Sequence, residues 1–170
     1  SLYPLYWSEG DAIAVNGVVS NEIVIGSDAT AATFKFAQEV KTPLCVVYPA
    51  SAAATVEEGG EAAPEPEPAP VTAYPVNFLA EQPYTVGTFA PQAAPMYGYA
   101  AELPEAGIEL HHLTGVLRLA IAGNGEKVTS IVVKAHKGKI AGAYTVDCTT
   151  GELTPNAEAV SSLTVTFAEP

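Results

Sequence analysis

Three histidines, His111, His112 and His136, are the first residues to weigh for chemistry. Leu110 and Leu113 suggest a strand around the adjacent pair, and neighbouring strand side chains point to opposite faces. His111 and His112 then cannot share a metal ion unless the chain kinks there, and a zinc site needs several converging ligands. No metal site is expected. His136 lies in the Lys-rich turn His136-Lys137-Gly138-Lys139 and reads as solvated. Carboxylates are plentiful, so a glycosidase pair is the next possibility; such pairs need a cleft with shaped walls. Glu9 and Asp11 flank Gly10, where turn duty is the expected use. Nucleophiles fare no better. Ser51 follows Pro49-Ala50 outside any Gly-x-Ser-x-Gly elbow. Cys45, in an apolar run without a nearby histidine, reads as inert. Gly123-Asn124-Gly125-Glu126-Lys127 lacks phosphate-loop spacing and a following helix, so it reads as a hairpin turn. Without a nucleophile, base and orienting group in reach of each other, the expectation is a chain that is not an enzyme and has neither catalytic residues nor a cofactor.

Aromatic residues offer a different chemistry. Tyr97 and Tyr99, around Gly98, are the candidate ligand-binding residues, since exposed rings on a loop can stack on a sugar. The competing and favoured reading is that they lid the core beneath a long loop. Trp7 is expected to anchor the core at the mouth of the first strand.

Positioning any of these groups falls to a chain of 170 residues, enough for one domain. Hydrophobic residues make up 48%, which supplies a core, while charged residues are only 15%. Fourteen Gly and fourteen Pro favour turns over long helices. The net charge is −12, from 19 acidic and 7 basic residues. That excludes nucleic acid as an expected partner, because phosphate binding needs a cationic surface. Five of the basic residues fall between Arg118 and Lys139 and suggest a local basic stripe. Cys45 and Cys148 could pair across a sandwich, but two buried free thiols are the favoured reading. The chain opens at Ser1-Leu2-Tyr3 without a methionine, which reads as a mature or trimmed fragment whose export signal lay upstream.

Alternation of apolar residues assigns the elements. Asp11 to Val15 and Val18 to Ile25 read as strands around an Asn16-Gly17 turn. Ala32 to Ala37 alternates, and Leu44 to Tyr48 is a continuous apolar run of the kind that is covered on both faces. Residues 57–70 hold five Glu, four Pro and no aromatic or β-branched residue, so they form an exposed, extended loop within the single domain 1–170. Val76 to Leu79 and Tyr84 to Phe89 are further strands, and 90–107 reads as irregular. Gly115 to Ala122, with Leu117, Leu119 and Ile121 on one face, should pair antiparallel with Lys127 to Ala135 across a turn at 123–126. Ile140 to Asp147 and Leu163 to Phe167 complete the set. The result is an all-β antiparallel β-sandwich of about seven to nine strands with long loops, at roughly 8–12-residue spacing.

A set of phrases in order along the chain adds a resemblance. They are Tyr6-Trp7-Ser8-Glu9-Gly10-Asp11-Ala12-Ile13-Ala14-Val15, Tyr48-Pro49-Ala50-Ser51, Gln82-Pro83-Tyr84-Thr85-Val86-Gly87-Thr88-Phe89, Pro95-Met96, Leu113-Thr114-Gly115-Val116-Leu117-Arg118-Leu119, and Ile140-Ala141-Gly142-Ala143-Tyr144-Thr145-Val146-Asp147 with its Thr150-Gly151 turn. Together they resemble the N-terminal domain of fimbrillin-family proteins of Bacteroides-like bacteria. The resemblance implies a transthyretin-like sandwich and export as a lipoprotein to the cell surface or outer membrane. It implies a role as stalk, anchor or tip subunit of a fimbria, or pilus, with other subunits as partners by strand exchange. It also implies an arginine-directed cleavage of a first strand, hence Arg or Lys just upstream of Ser1, and a second sandwich domain downstream. Two positions depart from the pattern: Thr114 stands where similar sequences often carry Cys, and the 57–70 arm looks like an insertion. The alternative function is a surface module that binds a glycan or a host protein through loops such as 90–107.

Overall fold

The computed structural model describes residues 6–53 and 72–168. Its first hairpin turns at Asn-Gly, as the sequence predicts. Asn16 and Gly17 have φ of 49° and 85°, the left-handed pair that a two-residue hairpin loop requires. β1 (Ala14–Val15) and β2 (Val18–Val19) pair across it. Asn16 also ties this turn to the next sheet strand. Its Nδ2 donates to the Lys41 and Pro43 carbonyls and its Oδ1 accepts from the Cys45 N–H, each at 2.8 Å. Asn16→Gly keeps the left-handed backbone at ease but deletes all three bonds. It should destabilise the protein by about 2–3 kcal/mol, read as a lowered urea midpoint; an unchanged midpoint would remove this side chain from the fold's essential contacts.

Val18 to Ile25 is not one strand, because the chain changes partners at Ser20. The Ser20 N–H donates to the Ile13 carbonyl at 2.9 Å and Ser20 Oγ accepts from the Ile13 N–H at 3.1 Å, whereas the Asn21 N–H turns to the Lys35 carbonyl at 2.9 Å. β3 (Glu22–Ile25) and β4 (Ala32–Lys35) then form their own two-stranded sheet, with Glu22 opposite Lys35 and ion-paired to it at 2.6 Å. The remaining strands are β5 (Leu44–Tyr48), β6 (Ala73–Phe78), β7 (Glu81–Thr85), β8 (Thr88–Phe89), β9 (Met96–Ala100), β10 (His111–His112), β11 (Ser130–Lys134), β12 (Gly142–Asp147), β13 (Leu153–Pro155) and β14 (Ser162–Thr166). The chain is all-β, built from more and shorter strands than the sequence pattern suggests. Proline interrupts some of them in tolerated places: Pro75 lies in β6 and Pro155 in β13, both edge strands.

Two sheets make the sandwich. One runs β10-β9-β5-β1-β2 and the other β13-β12-β6. Between them pack Val47 from β5, Tyr74, Val76 and Phe78 from β6, and Tyr144 and Val146 from β12. Cys45 and Cys148, both with no exposed surface, sit in the same core and are joined as a disulfide with Cα atoms 5.6 Å apart. This corrects the expectation of two free thiols: β5 and the end of β12 face each other across the core, a proximity that residues so distant in sequence do not announce.

β5 is covered on both sides, as its continuous apolar run predicts. Its other face, Leu44 and Val46, packs with Ile13 and Val15, and with Trp7, Phe34, Phe36, Ile108 and Leu110 around them. Trp7 meets Phe34 and Tyr48 edge-on, each with ring centroids 5.0 Å apart, in the anchoring position expected of it.

Two expectations fail here. Residues 90–107 are not wholly irregular, for β9 runs through them and pairs with the whole length of β5. Gly98 conceals this strand in the sequence, yet it is required. A Cβ there would come within 2.8 Å of side-chain atoms of both Ile108 and Leu110, which close over β9. The hairpin of 115–122 with 127–135 also does not form. No strand covers 115–122, and β11 pairs instead with β14, setting Ile131 opposite Val165 and Val133 opposite Leu163. A distant partner of matching alternation displaces the local one. β14 also pairs with β7, and this pair is parallel, an exception to the antiparallel pattern. The Glu/Pro arm at 57–70 lies outside the described residues.

Candidate functional surface

Asp11 shows how the carboxylates near the N-terminus are used. Its Oδ2 accepts from the Ser8 N–H at 2.8 Å and its Oδ1 from the Tyr48 hydroxyl at 2.9 Å. The turn from Ser8 to Asp11 thereby pins the Trp7 segment onto β5. Burial, then the Asp11 hydrogen bond, pushes the Tyr48 hydroxyl well above the ordinary phenol range. Asp147 does similar work at the far end of β12. Its carboxylate accepts from the Thr149 hydroxyl and N–H, and these two bonds hold its pKa below the usual carboxylate range. Glu9 is exposed and does not share Asp11's bonds.

The candidate ligand residues Tyr97 and Tyr99 lie on β9, opposite Val47 and Cys45 of β5. Both rings are half-buried and pack against the core between the sheets. Tyr97 reaches the turn at Gly151, whose φ of 75° and missing Cβ let the phenol lie against it, and its ring sits 5.7 Å from that of His111. These are packing positions, and they favour the reading in which the two tyrosines close the core. His111 and His112 form β10, both exposed, and His136 is exposed in its turn. Among the described residues no group of three or more His, Cys, Asp or Glu side chains is placed to hold a metal ion. Ser51 is exposed in a short 3₁₀ turn, and the 123–126 turn is closed by the Asn124 N–H donating to Glu126 Oε2 at 2.8 Å.

Two larger features were not evident from motifs. The first is an open cleft of about 1840 Å³ beside the second face of β5. Ile13, Val15, Leu44, Val46, Phe34 and Phe36 line its apolar wall, with β3, β4 and β8 along its rim. Among the described residues, the charged residues on its lining are Asp11, Glu105 and Glu109, all acidic. Among the described residues, each of β3, β4 and β8 pairs with one strand only.

The second feature is the 115–128 arm. Leu117, Leu119 and Ile121 are 67%, 52% and 58% exposed. No backbone hydrogen bond joins residues 115–128 to another described residue. The alternation was legible in the sequence; its lack of a partner was not. In comparisons with known proteins, no family model matches the chain, and no curated protein or solved structure matches it.

Proposed function

We propose that this chain is an exported structural or adhesive subunit of a bacterial surface fibre of the fimbrillin type, which assembles by strand exchange with neighbouring subunits. The observation that carries the reading is the 115–128 arm, whose Leu117, Leu119 and Ile121 are exposed and whose backbone has no hydrogen-bonded partner among the described residues. A sheet protein that leaves such a segment open risks uncontrolled edge pairing, unless pairing with another chain is its purpose. The Cys45–Cys148 bond adds support, since disulfides persist in oxidising compartments outside the cytosol. The sequence phrases that resemble fimbrillin N-terminal domains point the same way.

The test is made on cells expressing the full-length protein. Gently heated samples should run as a ladder of oligomers that collapses to one band on boiling, and protease added to intact cells should remove the protein. A single monomer band together with protection from external protease would overturn the proposal.

A further inference from the structure

We infer that the Arg118–Leu119 peptide bond is a processing site for an endoprotease that cuts after basic residues, and that the cut chain stays folded as two pieces joined by Cys45–Cys148. This goes beyond the fibre reading and does not rest on it. An endoprotease takes its substrate as an added strand, through backbone groups on both sides of the scissile bond. The segment must therefore be exposed and not committed to a sheet. Every residue from 115 to 130 is exposed, and no strand covers 115–129. Among the described residues no backbone hydrogen bond holds 115–128. Arg118, the chain's single arginine, lies within this stretch with uncommitted backbone on either side. Its guanidinium suits a carboxylate in the protease's primary pocket.

The backbone around the other cations is held. Lys35 is paired within β4, opposite Glu22, and Lys134 within β11, opposite Ser162. The Lys41 carbonyl accepts from Asn16 Nδ2 at 2.8 Å. Lys137 and Lys139 sit in a short turn clamped on both sides. The Ala135 N–H donates to the Ser161 carbonyl and the Ile140 N–H to the Val160 carbonyl, each at 2.8 Å. Lys127 shares the open stretch, but the Thr129 carbonyl just beyond it accepts from the Phe167 N–H at 3.0 Å. Lys127 is therefore the second site, and a cut there releases residues 119–127. The hydrolysis needs only water, which leaves a carboxylate on Arg118 and an amino group on Leu119. The first piece keeps β1 to β10 and the second β11 to β14. Pairing of β6 with β12 and of β7 with β14 crosses the cut, as does the disulfide. No residue of 115–128 belongs to either hydrophobic cluster, so the cut opens neither.

The experiment is brief digestion of the native 170-residue chain with trypsin, followed on gels and by mass spectrometry. The 57–70 arm contains no Lys or Arg, so it offers this protease nothing to cut. The first products should be 1–118 and 119–170, with 128–170 appearing later. They should run as one band without reductant and as two with it, and the nicked protein should keep its β-sheet circular dichroism spectrum. Arg118→Gln should slow the loss of intact chain about tenfold. Arg118→Gln with Lys127→Gln should slow it about a hundredfold or more, because cutting elsewhere then waits on opening of a sheet or a clamped turn. Both positions are exposed, and the cleavage order in the wild type decides by itself if a variant misfolds. A first cut after Lys41, Lys137 or Lys139 would overturn the inference. So would degradation to small peptides without a disulfide-linked intermediate, or loss of the β-sheet spectrum on nicking.

Discussion

Breaking the Cys45–Cys148 bond should lower the stability of the sandwich by about 3–5 kcal/mol. The two residues are 103 positions apart, so the bond closes a very long loop in the unfolded chain, and long loops gain the most from closure. Its position in the folded protein adds to the effect. Cys45 is in β5, Cys148 directly follows β12, and both are fully buried between the two sheets with Val47, Val146 and Tyr74 in the same cluster. The bond is thus a direct link between the layers. Urea unfolding with and without reductant measures the loss, and a Cys45→Ala/Cys148→Ala variant measures it free of redox chemistry. A midpoint that ignores both changes would show that packing alone sets the layer spacing.

Phe78→Ala should cost a similar amount, about 3–5 kcal/mol, which for a chain of this length is roughly 6–20 °C in melting temperature. Phe78 ends β6, is only 6% exposed, and meets Tyr144 of β12 edge-on with centroids 5.0 Å apart. Removing the ring leaves a cavity between two paired strands and deprives Tyr144 of its aromatic neighbour. Leu119→Ala is the instructive comparison. The side chain is as apolar, yet it lies on the exposed arm, so the monomer should change by about 0.5 kcal/mol or less. Thermal melts of both variants at low concentration check the contrast. Equal losses would mean that the arm belongs to the folded core after all.

The parts of the fold that were legible in the sequence are those governed by local chemistry. Asn16-Gly17 specifies its turn because both residues tolerate left-handed backbone. The run Leu44-Cys45-Val46-Val47-Tyr48 specifies a doubly covered strand because its first four side chains are all apolar, with no polar group facing either side. Trp7 was legible as an anchor for the same reason. What stayed hidden depends on partners far along the chain. β9 looked like loop because Gly98 lowers strand propensity, and only the closeness of Ile108 and Leu110 explains why glycine is needed there. Alternation from Gly115 to Ala122 marked a strand-like segment but not a partner, and β11 found β14 instead. The parallel pairing of β7 with β14 left no local trace. Of the candidate surface, the apolar residues Leu117, Leu119 and Ile121 were written in the sequence; the acidic cleft was not, because Asp11 comes from one segment and Glu105 and Glu109 from another far along the chain.

β5 belongs to two hydrophobic clusters at once, with Cys45 and Val47 in one and Leu44 and Val46 in the other. Neither cluster can melt while its neighbour survives, since the strand that would have to leave is the floor of both. The sandwich and the Trp7 layer should therefore be lost in a single cooperative step, with no half-folded species in which one layer outlives the other.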